Sequence, residues 1–307
     1  CALSCPALSG RHTSGRGCWA ARLKGVKRVN AEVKAAYPWA TWRLIVDREA
    51  DGPLNMAVDE AILQAVAAGS QPPTLRFYGW SPPSLSLGRN QPLADADLAA
   101  CRGADIDVVR RPSGGQAVLH ADELTYSAIL MQSDPRSEGG VLEAYRRISD
   151  GLLLGLQALG VAAIQAVGQR DEEHATTPIC FETPSEYEVT VGGRKLVGSA
   201  QWRSRGGVLQ HGSLPLFGDL TRIVRYVVMG EREREEKRRL LLGRVVTLEE
   251  AAGQRFSFED GVNALAGGLA QALNLDLVRE ELSDEERALA RALRQSRYAA
   301  QDWTAGR

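Results

Sequence analysis

The sequence has 307 residues, of which 44% are hydrophobic and 24% are charged, a composition that excludes an intrinsically disordered chain. Its 37 basic and 38 acidic side chains leave a formal net charge of −1, so the overall field does not favour nucleic acid as a partner. No uncharged apolar stretch approaches the roughly 20 residues needed to cross a bilayer. We therefore expect a cytoplasmic protein with no membrane partner.

The first 40 residues differ in charge from the rest of the chain. They carry seven basic side chains and one acidic one, whereas residues 41–307 carry 30 basic and 37 acidic groups. This Arg/Ser-rich stretch resembles an organellar transit peptide but has no sustained amphipathic stripe. The first methionine is Met56, inside a predicted helix. We expect a disordered or non-native leader over 1–40, a folded core over 41–220, and a helical C-terminal extension packed on that core over 221–307.

The cysteines favour neither a disulfide framework nor a zinc site. They lie at positions 1, 5, 18, 101 and 180, and no pair has the C-x-x-C spacing of a zinc ligand set. Only two of them fall outside the leader, which is typical of a protein from a reducing compartment. The histidines are widely separated, so we predict no metal.

Hydrophobic periodicity predicts a mixture of strands and helices in the first part of the core. A helix is predicted to begin at Asp51-Gly52-Pro53, where Asp can cap it and Pro suits its first turn, and to end at Gly69. A second helix is predicted over 141–160. The predicted strands are 42–46, 74–78, 84–87, 106–111, 116–120 and 125–131, with the pair 106–111 and 116–120 interpreted as two strands joined by a turn.

The second part of the chain begins with a hairpin and becomes helical beyond residue 220. A polar loop is predicted over 168–186, and the strands 187–191 and 194–198 flank the tight Gly192-Gly193 turn, with a third strand at 208–212. Thr247…Glu250 and Ser283…Glu286 match the capping box, and the charge run 231–239 is typical of a solvated helix face. Since hairpins outnumber βαβ crossovers, we predict an α/β (α+β) fold with mixed, largely antiparallel sheets flanked by helices.

Three constellations are candidates for chemistry. Gly114 and Gly115 follow Arg110 and Arg111, and a Gly-Gly turn lets main-chain N–H groups approach an anion or an acyl carbonyl, although such a turn is more often only a turn. Cys180 lies on a polar loop, where reactive residues concentrate, but an isolated cysteine is also commonly a small buried hydrophobe.

The third candidate is Lys195, on a strand directly after a tight turn. In a dry pocket its ammonium could stabilise an oxyanion or hold a carbonyl, whereas on a surface it would have no special role. His120 and His211 are further candidates for activating a thiol, and structural hydrogen bonding is the simpler interpretation of both.

Six blocks in order resemble the lipoate–protein ligase/octanoyltransferase superfamily, which shares its catalytic domain with biotin–protein ligases. The cysteine-containing loop and the tail YAAQDW (298–303) resemble the LipM-type octanoyltransferases within it. The similarity covers roughly residues 41–307. The blocks are RFYGWSPPSLSLG (76–88), VVRRPSGGQAVLH (108–120), ELTYS (123–127), ICFETPSEYEV (179–189), GRKLVGSAQ (193–201) and GVLQHGSLPL (207–216).

The resemblance implies a two-step acyl transfer without a cofactor. Cys180 would attack octanoyl–acyl carrier protein, and the acyl-enzyme thioester would then pass octanoyl to a lysine of a lipoyl-domain protein such as glycine cleavage H protein. Lys195 matches the family's active-site lysine, expected to bind the acyl carbonyl and to assist deprotonation of the thiol. The remaining expected substrate-binding residues are Arg110, Arg111, Gly114, Gly115, His120, Gly198, Ser199 and Ala200.

Two positions depart from the family pattern. Gln116 stands where Arg or Gly is usual, and Ala121 follows the motif histidine where Asp is common, with Asp122 one place later. Both departures concern details of the pocket and not the nucleophile. We expect a monomer whose acidic protein partners meet local basic patches, with Arg203 and Arg205 as a candidate patch.

Three alternatives remain open at this level. A lipoyl or octanoyl amidotransferase would use the same cysteine but take its acyl group from a modified H protein. An ATP-dependent lipoate–protein ligase would need an adenylate pocket and no cysteine. A non-catalytic protein that binds lipoyl domains would need neither Cys180 nor Lys195.

Overall fold

The structure is a computed structural model that describes residues 37–166, 179 and 188–306. These residues belong to one compact unit, Lys34–Arg307. None of the helices among them combines the length and the apolar character needed to cross a membrane. Cys180, the leader up to residue 36 and most of the predicted loop 168–186 lie outside the described residues.

The large sheet has eight strands in the order β11-β1-β2-β6-β10-β9-β8-β7. Strand β1 pairs in parallel with both β2 and β11. The other neighbouring strands, from β2 and β6 along the sheet to β8 and β7, pair antiparallel. The prediction of a mixed, largely antiparallel sheet is confirmed. The strands of the whole structure are β1 (Ala40–Val46), β2 (Thr74–Tyr78), β3 (Ser84–Leu87), β4 (Asp107–Arg110), β5 (Val118–His120), β6 (Glu123–Met131), β7 (Ile164–Gln165), β8 (Val189–Val191), β9 (Arg194–Ser204), β10 (Gly207–Pro215) and β11 (Leu275–Arg279).

A small sheet carries the Gly-Gly motif, and its topology differs from the prediction. Strand β3 lies in the centre, parallel to β4 and antiparallel to β5. The interpretation of 106–111 and 116–120 as two strands joined by a turn is therefore wrong in its pairing. Both strands instead bond to β3, because the segment between them turns away from the sheet and packs against the residues that follow β3.

Helices cover both faces of the large sheet and the edge of the small one. Asp51 caps the first helix, accepting a 2.7 Å bond from the amide of Leu54, and Ser283 forms a full capping box with Glu286, as predicted. Thr247 makes only half of its predicted box, by accepting from the amide of Glu250. The helices are α1 (Gly52–Ala67), α2 (Leu98–Gly103), α3 (Val141–Ala158), α4 (Glu231–Arg244), α5 (Leu248–Ala252), α6 (Phe258–Leu273), α7 (Asp284–Leu293) and α8 (Gln301–Thr304).

The core is divided by the large sheet into two apolar layers. On one face α3 and α6 pack so closely that a Cβ at Gly268 would lie 2.2 Å from the main-chain nitrogen of Gly155. On the other face α1 and α7 cover the alternate residues of the same strands. The segment 221–307 is not helical throughout, since β11 extends the large sheet and α6 belongs to the core.

Candidate active site

The buried Arg111 side chain stabilises the Gly-Gly turn between β4 and β5 through hydrogen bonds to main-chain carbonyl groups. Its guanidinium donates to the carbonyl oxygens of Gly114 (2.9 Å), Gln116 (2.7 Å) and Ser86 (3.0 Å). Arg111 is buried, so these bonds fix the turn against the central strand of the small sheet. Its predicted part in substrate binding stays a prediction, and the observed contacts place it behind the turn.

The two glycines of the turn have different surroundings. Gly115 adopts φ +95°, which favours glycine, and its carbonyl oxygen approaches the loop after β3 so closely that a Cβ at Gly88 would lie 1.7 Å from it. At Gly114, by contrast, a Cβ would meet no atom of the described residues within 4 Å. Among the described residues, Gly114 thus differs from Gly115 in having no neighbouring atom that a side chain would meet.

Arg110 connects the turn to the C-terminal segment. Its guanidinium donates to the carbonyl oxygens of Gly88 (2.7 Å), Gln91 (2.6 Å) and Thr304 (2.8 Å), and the indole N–H of Trp303 donates to the carbonyl oxygen of Arg110 (2.8 Å). The side chain is 1% exposed. These contacts are to the protein's own main chain, and its predicted role in substrate binding stays a prediction.

His120 lies in a hydrogen-bonded chain at the end of β5. Its Nε2 is 2.8 Å from Oγ of Ser86 and its Nδ1 is 2.8 Å from Oε1 of Glu123, while its ring stacks on Trp80 with centroids 4.0 Å apart. The other carboxylate oxygen of Glu123 accepts a 2.6 Å bond from Ser213 on β10. The small sheet is thereby tied to the large one.

His211 makes a second connection between the turn and the large sheet. Its Nε2 is 2.6 Å from Oγ of Ser113, directly before the two glycines, and its Nδ1 is 3.7 Å from the carboxylate of Asp59. Burial lowers the pKa of His211, which favours a neutral ring. Burial alone would raise the pKa of Asp59, but the Arg76 guanidinium 2.7 Å away, His211 and the Ser127 hydroxyl together hold that pKa below its usual value.

The predicted residues Gly198, Ser199 and Ala200 lie on β9 beside these connections. They pair with the β10 residues 211–213, so all three adjoin the strand that carries His211. The Ser199 hydroxyl is 2.7 Å from that of Tyr126. A Cβ at Gly212 would lie 2.5 Å from Oγ of Ser199, which keeps this part of the sheet free of a further side chain.

Lys195 is buried and paired with a carboxylate. It is 2% exposed, and its Nζ donates to Oε1 of Glu188. Its carbonyl oxygen accepts a 3.0 Å bond from the amide of Val246, which anchors this end of β9 to the segment after α4. Opposite charges attract more strongly in a buried site than in water, and the predicted part of Lys195 at the acyl carbonyl stays a prediction.

The chain next to Cys180 is anchored at the Gly-Gly turn. Ile179, which precedes Cys180 in the sequence, forms a parallel bridge with Ala117 and is 1% exposed. Ala117 follows Gln116 at the end of the turn. The structure thus brings one covalent neighbour of the predicted nucleophile to the turn that the sequence analysis singled out.

Several residues of this region were missed by sequence reasoning. Ser113 and Glu123 bond the two histidines, and Glu188 pairs with Lys195. Thr190 is the cross-strand partner of Lys195, and Glu188 lies two residues before Thr190. Since side chains alternate along a strand, the hairpin register places Glu188 and Lys195 on the same face. Ser113 carried no such signal, because its partner His211 is 98 residues away, whereas Glu123 lies only three residues after His120 and its spacing was overlooked. Within the part of the chain that the structure describes, no three His, Cys, Asp or Glu side chains are grouped to hold a metal.

Comparison with known proteins agrees with this architecture. Among solved structures, a bipartite lipoate protein ligase from Thermoplasma acidophilum superposes with a TM-score of 0.74 at 24% identity, covering 87% of this chain and 97% of that one. A lipoate–protein ligase A bound with ATP gives a TM-score of 0.72, also at 24% identity, with coverage of 87% and 99%. At these identities the likeness establishes the fold.

Sequence relatives establish the family. An octanoyltransferase LipM from Symbiobacterium thermophilum is 42% identical over 85% of this chain and 97% of its own length. The LipM of Kyrpidia tusciae is 44% identical, with coverage of 86% and 98%, and that of Bacillus subtilis is 37% identical, with 86% and 97%. The family model described as "Lipoyl protein ligase A/B catalytic domain" matches residues 51–270. The chain therefore belongs to the lipoyl protein ligase A/B catalytic-domain family.

Proposed function

We propose that the protein is an octanoyltransferase of lipoate biosynthesis that moves an octanoyl group from acyl carrier protein to a lysine of a lipoyl-domain protein. The observation that carries this proposal is the identity of 37–44% to octanoyltransferases over nearly their whole length. The anchoring of Ile179 beside the Gly-Gly turn supports Cys180 as the nucleophile. The buried pair of Lys195 and Glu188 supports an electrostatic role for Lys195.

In the first step, the Cys180 thiolate attacks the carbonyl carbon of the octanoyl thioester. A new carbon–sulfur bond forms, the bond to the carrier's sulfur breaks, and the carrier thiolate takes up the proton that Cys180 released. Both sides of this exchange are thioesters, so the step needs no ATP. A lowered thiol pKa would favour the step, and a nearby ammonium is one source of it.

In the second step, the neutral amine of the acceptor lysine attacks the Cys180 thioester. The amide bond forms, the carbon–sulfur bond breaks, and the leaving thiolate takes up the proton that the nitrogen loses. Conversion of a thioester into an amide is downhill. In both steps negative charge develops on the acyl oxygen, and we assign its stabilisation to Lys195 Nζ, oriented by Glu188.

The other site residues position these groups. Gly114 and Gly115 offer main-chain N–H groups, while Arg110, Arg111 and His120 hold the turn and the small sheet in place. An apolar slot would stabilise the acyl chain by about 0.8 kcal/mol for each buried CH₂ group. The proposed acceptor is a lipoyl domain such as glycine cleavage H protein. We also propose a monomer in the cytoplasm, the latter in keeping with the cysteine pattern.

The proposal is tested by following the mass of an H protein acceptor with octanoyl–acyl carrier protein as donor. We expect transfer by the wild type, and a loss of at least about 100-fold in Lys195→Met because an oxyanion-stabilising group is removed. Arg194→Met is the matched control, since Arg194 is the adjacent residue and contacts Glu250 at the exposed edge. Equal rates in both variants would contradict the role of Lys195.

Different donors separate the rival activities. Transfer only from an octanoylated H protein would identify an amidotransferase, and activity with ATP and free lipoate in a Cys180→Ala variant would identify a ligase. Binding of the lipoyl domain without any acyl transfer would identify a non-catalytic partner.

A further inference from the structure

Helix α4 has an unusual surface for a helix of 14 residues. Leu241 is its buried residue, and the other side chains are exposed or partly exposed. Its charges are segregated, since the first six residues carry four glutamates and two arginines whereas the last eight carry no acid. We call this last part, residues 237–244, the basic end of α4. Its charged side chains are Lys237, Arg238, Arg239 and Arg244.

The basic end of α4 also presents an apolar group to solvent. Leu242 is 54% exposed, and it lies four residues after Arg238 and three after Arg239, on one face of the helix. Both arginines pair with Glu235, at 3.2 and 3.0 Å, in solvent-exposed contacts that are worth little and can be exchanged for a partner's carboxylates. An exposed leucine beside two arginines fits an acidic protein surface with an apolar centre.

The basic end of α4 leads directly to the candidate active site. The helix ends at Arg244, and the next residue, Val245, forms a parallel bridge with Lys195. At 1.5 Å per residue, Arg238 lies only about 10 Å along the helix from Val245. A partner bound here would therefore lie close to the strand that carries Lys195.

We propose that the basic end of α4 docks the acidic face of the acyl carrier domain that delivers the octanoyl group. This inference rests on the proposed function and adds the place where the donor binds. Residues 41–307 carry seven more acidic than basic groups, so an acidic partner needs a local positive surface. A donor whose acyl group hangs on a long flexible arm can dock at this distance, whereas an acceptor must bring a short lysine side chain into the site itself.

The earlier candidate patch is less suited to this role. The Arg203 guanidinium donates to the carbonyl oxygens of Ser137 (3.2 Å) and Gly140 (3.1 Å), so it fastens the loop before α3. Arg205 lies in the turn between β9 and β10 with φ +53° and is exposed. Arg205→Glu therefore serves as the test of that alternative surface.

The experiment compares steady-state transfer by the double variant Arg238→Glu/Arg239→Glu with Arg232→Glu. Arg232 is on the same helix, its side chain is 93% exposed, and it lies six residues, or about 9 Å, before Arg238, which makes it a matched control. We expect the double variant to raise the KM for octanoyl–acyl carrier protein by about tenfold, with kcat within about twofold. Octanoyl-pantetheine, which has the arm without the carrier protein, should be used equally well by all variants.

Each other outcome overturns the proposal in a recognisable way. An unchanged KM for octanoyl–acyl carrier protein in the double variant would show that the carrier binds elsewhere, and a rise in Arg205→Glu instead would move it to that turn. A rise in the KM for the H protein acceptor would assign α4 to the acceptor. Failure of the wild type to form an acyl adduct from either thioester would refute the proposed function, and this inference with it.

Discussion

Trp303 offers the sharpest test of how the C-terminal segment supports the candidate site. Its indole N–H donates to the carbonyl oxygen of Arg110, and its ring contacts two guanidinium groups, that of Arg89 at 4.3 Å and that of Arg297 at 3.9 Å. Arg110 in turn bonds the main chain of the loop that packs on Gly115. Removing the indole should therefore weaken the packing of this loop against the Gly-Gly turn.

The magnitude follows from the contacts that are lost. The hydrogen bond contributes about 1 kcal/mol, and each cation–π contact at a partly exposed site contributes about 0.5–1 kcal/mol. Trp303→Ala should lower the free energy of unfolding by about 2–3 kcal/mol. Trp303→Phe keeps an aromatic ring but loses the N–H donor, so we expect a loss of about 1 kcal/mol.

Urea denaturation measures the stability, and limited trypsin cleavage after Arg297 measures release of the tail. We expect cleavage to be faster in Trp303→Ala than in Trp303→Phe, and octanoyl transfer to fall in the same order while the overall fold is retained. A transfer rate and a denaturation midpoint equal to wild type in Trp303→Ala would refute the idea that the tail supports the turn.

Three further predictions concern the turn, the histidine beside it and the buried cysteine. Gly88→Ala should prevent the close approach of the loop after β3 to the Gly115 carbonyl and abolish transfer, whereas Gly114→Ala should fold like wild type. Circular dichroism and thermal melting measure the folding of both variants. A well-folded, active Gly88→Ala would contradict the contact. Burial lowers the pKa of His211 below its unfolded value of about 6.5, so its contribution to stability is present above that pH and is lost as the pH falls through the folded pKa. His211→Gln should therefore flatten the fall of the unfolding free energy below about pH 6.5 in urea titrations, and an unchanged slope would exclude this group as its source. Burial raises the pKa of Cys101 to about 11, so iodoacetamide at pH 8 should leave this thiol unmodified in the folded protein, and rapid labelling would contradict its burial.

Local features of the fold were predictable because local chemistry sets them. The Asp51 and Ser283 caps, the periodicity of α3 and the Gly192-Gly193 hairpin all depend on residues a few positions apart. The pairing of strands was not predictable where a central strand comes from elsewhere in the chain, as with β3 between β4 and β5. Strand β11 was missed because it pairs with β1, more than 200 residues earlier.

The sequence motifs of the candidate site could be identified in advance, whereas most contacts between its side chains could not. The Gly-Gly turn and Lys195 were proposed as site residues from residue types, and the hairpin register could have indicated Glu188 as the partner of Lys195. The bond between Arg110 and Thr304 spans 194 positions, and that between Ser113 and His211 spans 98. No local pattern encodes such pairs, since they arise only when separate elements pack together.

The most direct test of the account is the intact mass of the protein after mixing with octanoyl–acyl carrier protein. We predict one octanoyl adduct that hydroxylamine removes, that maps to Cys180, and that is absent from Cys180→Ala and retained in Cys101→Ala. Undiminished transfer by Cys180→Ala, or an adduct on another residue, would contradict the proposed acyl-enzyme mechanism.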